Sequence, residues 1–104
     1  MPTVAHTVLI RFRADLSPAQ IDAAMAELAA LKDRIPGIVS FSGGANMSPE
    51  GLNQGFTHGF VMKFVDAAAR DRYLPHLEHE AVKERVLPLL DGGIQGVLVL
   101  DWEE

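Results

Sequence analysis

Apolar alternation in four segments, with helical spacing in the stretches between, predicts an α+β fold in the order βαββαβ. Three observations carry this. Ser17-Pro18-Ala19-Gln20 has the residues of a helix start: a hydroxyl cap, a proline with pre-set φ, and a glutamine to close a capping box. Phe56, His58, Phe60, Met62 and Phe64 fall on alternate positions, as on one face of a strand. Pro36-Gly37, Pro75 and Asp91-Gly92-Gly93 punctuate the chain where those patterns stop.

The elements follow in order. Val4 to Phe12 reads as the first strand, with Val4, His6, Val8, Ile10 and Phe12 on one face and Thr3, Ala5, Thr7, Leu9 and Arg11 on the other. Both faces carry apolar residues, so both are expected to be covered. Ile21, Met25, Leu28 and Leu31 repeat at three- and four-residue spacing in a helix that runs through Arg34. Ile38 to Ala45 reads as a second strand, Asn46 to Gln54 as a polar loop, and Gly55 to Val65 as a third strand. Asp66 caps a second helix to about Leu74. Pro75 breaks it, and a further helical stretch spans Glu78 to Leu90. Gly96 to Trp102 is the last strand.

This order is a split βαβ pair, a ferredoxin-like arrangement. Right-handed crossovers place both helices on one face of a four-stranded antiparallel sheet. On this reading the opposite face receives Leu9, Val97 and Val99. That is more apolar sheet than a monomer leaves in water, so the expected cover is a second copy of the chain, giving a homodimer.

Composition narrows the function. The 104 residues suit a single domain, 1–104, with a real core, burying roughly 65% of the unfolded surface. There is no cysteine, which excludes disulfides and thiolate chemistry and suits a reducing, cytoplasmic setting. The net charge is −5, with the acidic excess in the second half, which argues against a nucleic-acid binder. No secretory leader pattern and no apolar run of membrane-spanning length is found, so no membrane partner is expected.

The chemistry concentrates in Tyr73-Leu74-Pro75-His76-Leu77-Glu78-His79. The only tyrosine and two of the four histidines stand here, and His6 and His58 interrupt the faces of strands one and three. Histidine titrates nearest neutral pH, so such a cluster beside apolar surface has the groups to move protons. The plain alternative is architectural. In a broken helix the His79 imidazole would bond a carbonyl freed by Pro75, and His6 would be a satisfied core residue with His58 or Tyr73 as partner. His76 and His79 have helical i, i+3 spacing but no accompanying ligand box, so no metal is expected. Arg70 and Arg72 beside the cluster could draw an acidic ligand to it.

Several pieces together resemble a known family. They are His6-Thr7-Val8-Leu9-Ile10-Arg11-Phe12, Pro36-Gly37-Ile38, Gly43-Gly44-Ala45-Asn46-Met47-Ser48, Thr57-His58-Gly59-Phe60, Phe64-Val65-Asp66, the Tyr73–His79 segment and Val97-Leu98-Val99-Leu100-Asp101. In this order the chain is similar to stress-responsive A/B barrel domain proteins from about His6 to Trp102. The resemblance implies a dimeric α+β barrel. Many members have no assigned activity, and one plant member is a cofactor-free polyketide cyclase. Carried over, its catalytic tyrosine and histidine match Tyr73 and His79, and its pocket histidines match His6 and His58. Val8, Ile10 and Phe60 are then expected in the pocket wall. The bulky aromatic residues of that cyclase's first helix are replaced here by Ala23, Ala24, Met25 and Leu28. The expectation is a family protein of unassigned activity, with a pocket for a small apolar or acidic ligand between sheet and helices and no cofactor. The alternative is a cyclase-like lyase or a monooxygenase-like enzyme using His79 and Tyr73.

Overall fold

A computed structural model describes residues 2–104. The strands are β1 (Val4–Ile10), β2 (Ile38–Ala45), β3 (His58–Phe64) and β4 (Val97–Glu103). The helices are α1 (Pro18–Arg34), α2 (Ala67–Tyr73) and α3 (Leu77–Val86), with 3₁₀ turns at Leu87–Leu89 and Gly93–Gly96. The strands form one antiparallel sheet in the order β2-β3-β1-β4, the ferredoxin-like topology.

The local signals act as the sequence suggests. Ser17 accepts from the Gln20 amide, and the Gln20 side chain accepts from the Ser17 amide, completing the capping box of α1. Asp66 caps α2 by accepting from the Ala69 amide at 2.8 Å. Several boundaries differ from the sequence reading. β1 stops at Ile10 rather than Phe12, β3 at Phe64 rather than Val65, α3 starts at Leu77 rather than Glu78, and β4 runs Val97–Glu103 rather than Gly96 to Trp102. Two larger shifts have clear causes. The third strand begins at His58 rather than Gly55, because Asn53 side chain and backbone tie Phe56 into a turn. The last helix turns to 3₁₀ after Val86, where Pro88 has no amide to donate to an α-helical carbonyl.

β1 lies between β3 and β4, and its alternation divides the molecule. Val4, His6, Val8 and Ile10 face the helices and are buried there with Phe60, Met62 and Phe64 of β3. Leu28 and Leu31 of α1, Tyr73 of α2, and Val82 and Val86 of α3 close the same core. On the opposite face lie Ala5, Thr7 and Leu9, paired across the ladder with Trp102, Leu100 and Leu98.

That register corrects the sequence reading of β4. Val97 and Val99 pair with Ile10 and Val8, so they belong to the helix side. The residues that load the open face beside Leu9 are Leu98, Leu100 and Trp102, 43%, 61% and 46% exposed. The open face is therefore still apolar, but built from different residues. No helix of the described residues is long and apolar enough to cross a membrane.

Gly37, between α1 and β2, has φ 96, and a Cβ there would lie 2.7 Å from the Cβ of Ala69. Both the backbone conformation and the close approach of α2 require glycine. Gly37→Ala is expected to cost about 1–3 kcal/mol in denaturant unfolding, since the strained φ and the contact with Ala69 act together.

Candidate functional site

Three elements meet at the site. The break at Pro75 turns the chain between α2 and α3, so that Tyr73 ends one helix and His79 sits in the first turns of the next. β1 brings His6 beneath them. The His6 and Tyr73 rings stand edge to face with centroids 5.7 Å apart, and Tyr73 and His79 stack at 4.0 Å. Phe64 packs on the Tyr73 ring at 5.1 Å, so the tyrosine is wedged between β3 and α3.

These groups border a cavity of about 190 Å³ between α3 and the β1–β4 half of the sheet. Its wall includes Val8, Ile10, Leu28, Phe60, Val86, Leu87, Leu90 and Val97, and its polar members are His6, Tyr73, His79 and Lys83. Leu74, Ile94 and Val99 also line it and are exposed. The cavity exists for a packing reason. α1 packs on β2 and α2 on β3, which leaves the β4 edge the least covered by helix.

Hydrogen bonding sets the tautomers. His79 Nδ1 lies 3.0 Å from the Leu74 carbonyl, which only accepts, so Nδ1 carries the proton and Nε2 is the acceptor of the neutral ring. Burial pushes the His79 pKa below its ordinary value, and the nearby Lys83 ammonium pushes the same way. The neutral imidazole is therefore the form present at neutral pH. Burial, with the Asp101 charge adding to it, holds the Tyr73 phenol well above its usual range, so it stays a protonated donor. Among the described residues its hydroxyl has no hydrogen-bond partner, and it is not sealed from the cavity.

His6 has a partner that sequence reasoning missed. Its Nδ1 donates to Asp101 Oδ1 at 2.7 Å, and Arg70 Nη1 donates to Asp101 Oδ2 at 2.7 Å. The partner is neither His58 nor Tyr73. Register explains this, because His6 and Asp101 are directly opposite across β1 and β4. A signal was present, in that Asp101 breaks the apolar run of the last strand on the parity of Val97 and Val99. Arg70 is thereby committed to Asp101 and Asp71.

His58 does not join the cluster. It pairs with Ile10, at the far end of β1 from His6, and packs edge-on against Phe12 at 5.1 Å. Its Nδ1 lies 2.9 Å from the Thr57 hydroxyl, and burial lowers its pKa. Of the residues expected at the pocket, Tyr73, His79, His6, Val8, Ile10 and Phe60 surround one cavity and His58 stands apart. His76 is engaged as the cap of α3, its Nδ1 accepting from the Glu78 amide at 3.1 Å.

The chain is a ferredoxin-like α+β protein, its four-stranded antiparallel sheet carrying helices on one face. The chain belongs to the stress responsive A/B barrel domain family, whose model matches residues 4–104. It is 31% identical over 100 residues to the stress-response A/B barrel domain-containing protein HS1 of Arabidopsis thaliana, covering 96% of this chain and 88% of that one. A dimeric ferredoxin-like protein of unknown function from Jannaschia sp. CCS1 superposes with a TM-score of 0.85 at 29% identity, over 98% of this chain and 99% of that one. A hydroxynitrile lyase from Passiflora edulis shares the fold with a TM-score of 0.87 at 23% identity, over 98% and 93%. These relatives establish no specific activity for the present chain.

The lowered His79 pKa has a thermodynamic consequence. Below pH 6.5 the unfolded state takes up a proton that the folded state resists, so stability present above that pH is lost as pH falls toward the folded pKa. His58 acts in the same direction. Stability is expected to fall as pH drops through 6.5 and below, and His79→Gln should flatten that fall in urea titrations at each pH.

Proposed function

We propose that the chain is a homodimeric small-ligand protein whose cavity receives a compact apolar molecule bearing a hydrogen-bond acceptor. The observation that carries this is the Tyr73 hydroxyl, a neutral donor without a protein partner among the described residues, at the edge of a mostly apolar cavity. A polar group so placed gains a bond only when something enters. The volume suits a single-ring compound, since an apolar cavity of about 150 Å³ accommodates benzene. The open face supports the dimer. Leu9, Leu98, Leu100 and Trp102 form a continuous apolar surface, and the Jannaschia relative is described as dimeric.

A second reading rests on His79. Its Nε2 is an acceptor on a ring that stays neutral, stacked on the Tyr73 donor. A general base beside a hydroxyl able to bond an enolate oxygen suits removal of a proton α to a carbonyl, the step that begins cofactor-free aldol chemistry. The proton would pass to Nε2 while Tyr73 donates to the oxygen. The His79 bond to Leu74 also fulfils the architectural role, so stability alone does not separate the two.

Acetophenone tests both readings. Tyr73→Phe should leave unfolding stability within about 0.5 kcal/mol, because the hydroxyl makes no protein bond, while weakening acetophenone binding about fivefold to tenfold. Equal affinity in wild type and Tyr73→Phe would contradict the ligand reading. If His79 is a base, wild-type protein should speed deuterium exchange of the acetophenone methyl protons at pH 7. His79→Ala should lose about 10²–10⁴ of that rate.

Self-association has its own test. Leu100→Glu is expected to yield a monomer at micromolar concentration by sedimentation, where wild type sediments as a dimer; a stable dimer buries about 800 Å² on each partner. A wild-type monomer would contradict the dimer.

A further inference from the structure

Of the four polar residues around the cavity, Lys83 alone carries a fixed charge. It stands one turn after His79 on α3, so its side chain falls on the same side of the helix. It lines the same cavity as His79. Its one partner is Glu80, bonded at 2.7 Å with both side chains part-exposed. A pair of that kind is weakly held and is exchanged readily for another carboxylate. The arginines that the sequence suggested as attractors do not serve the cavity. Arg70 is held by Asp101 and Asp71, and Arg72 is absent from the lining.

Resting on the ligand reading above, we propose that Lys83 selects the ligand's charge, and that the cavity takes a small monocarboxylate with its apolar body inside and its carboxylate on the Lys83 ammonium in place of Glu80. The geometry matches such a molecule. The wall from Val8 to Val97 accepts a ring or short branched chain and offers it no polar partner. Lys83 shares the cavity wall with Tyr73 and His79 and stands one helical turn from His79, so a carboxylate on the ammonium stays on the side of the cavity that carries its polar groups. Neutral molecules of the same shape fill the wall equally well and leave Lys83 with Glu80. Charge is then what distinguishes ligands of equal size.

Benzoate and its neutral isostere benzamide separate the possibilities by calorimetric titration or chemical-shift perturbation of the whole protein. Wild type is expected to bind benzoate about tenfold more tightly than benzamide. Lys83→Gln should abolish the difference by weakening benzoate alone. Glu80→Gln, which frees the ammonium and removes a repelling carboxylate, should tighten benzoate and leave benzamide unchanged. Both side chains reach solvent, and circular dichroism checks that each variant is folded. Equal binding of the two probes by wild type overturns the selection by charge while the ligand reading stands. A benzoate preference that persists in Lys83→Gln also overturns it, since the anion is then held elsewhere. If neither probe binds at millimolar concentration, the ligand reading itself fails, and this proposal with it.

Discussion

The register of β1 between β3 and β4 is the constraint on which the remainder depends. Alternation sends Val4, His6, Val8 and Ile10 into the core and Ala5, Thr7 and Leu9 to the open face. A slip of one residue would exchange those sets, bringing His6 to the open face and Leu9 into the core. The same register puts His6 opposite Asp101, so a buried imidazole finds its hydrogen bond within the sheet. Without Asp101, His6 would be a desolvated polar group among Phe60, Phe64 and Tyr73.

On that platform the helix break supplies the rest. Pro75 denies α2 a continuation, and the chain recovers by capping α3 with His76 and bonding Leu74 through the His79 side chain. A bond that repairs the break thus fixes the tautomer of His79 and leaves Nε2 as an acceptor. The architectural and chemical readings of this histidine are therefore two consequences of one hydrogen bond. Burial adds the second element by holding both rings neutral, the phenol as donor and the imidazole Nε2 as acceptor.

The sequence made the fold legible wherever a pattern had a period. The capping box at Ser17 and Gln20, the alternation from Phe60 to Phe64 and the stop at Pro75 each have a local cause and appear in the structure where expected. It misled where there was no period. Val97-Leu98-Val99-Leu100 is apolar at every position, so nothing in the run states which face a residue takes, and Val97 and Val99 fall opposite to expectation. The cluster was legible in part. Tyr73 and His79 are close in sequence and stay close, and their proximity to His6 followed from topology. His58 stands apart because an antiparallel pair places His6 against Met62 and carries His58 on to Ile10. Asp101 and Lys83 were missed because one acts across a ladder whose register was not known and the other looks like a solvated helix residue.

This register and this helix break together present a neutral, Nδ1-protonated His79 to a mostly apolar cavity. Long-range ¹H–¹⁵N correlation of the imidazole nitrogens at pH 7 reports that state. The His79 Nε2 resonance is expected at an unprotonated position and its Nδ1 resonance at a protonated one. A ring carrying a proton on Nε2, in either the alternative tautomer or the imidazolium, would contradict it.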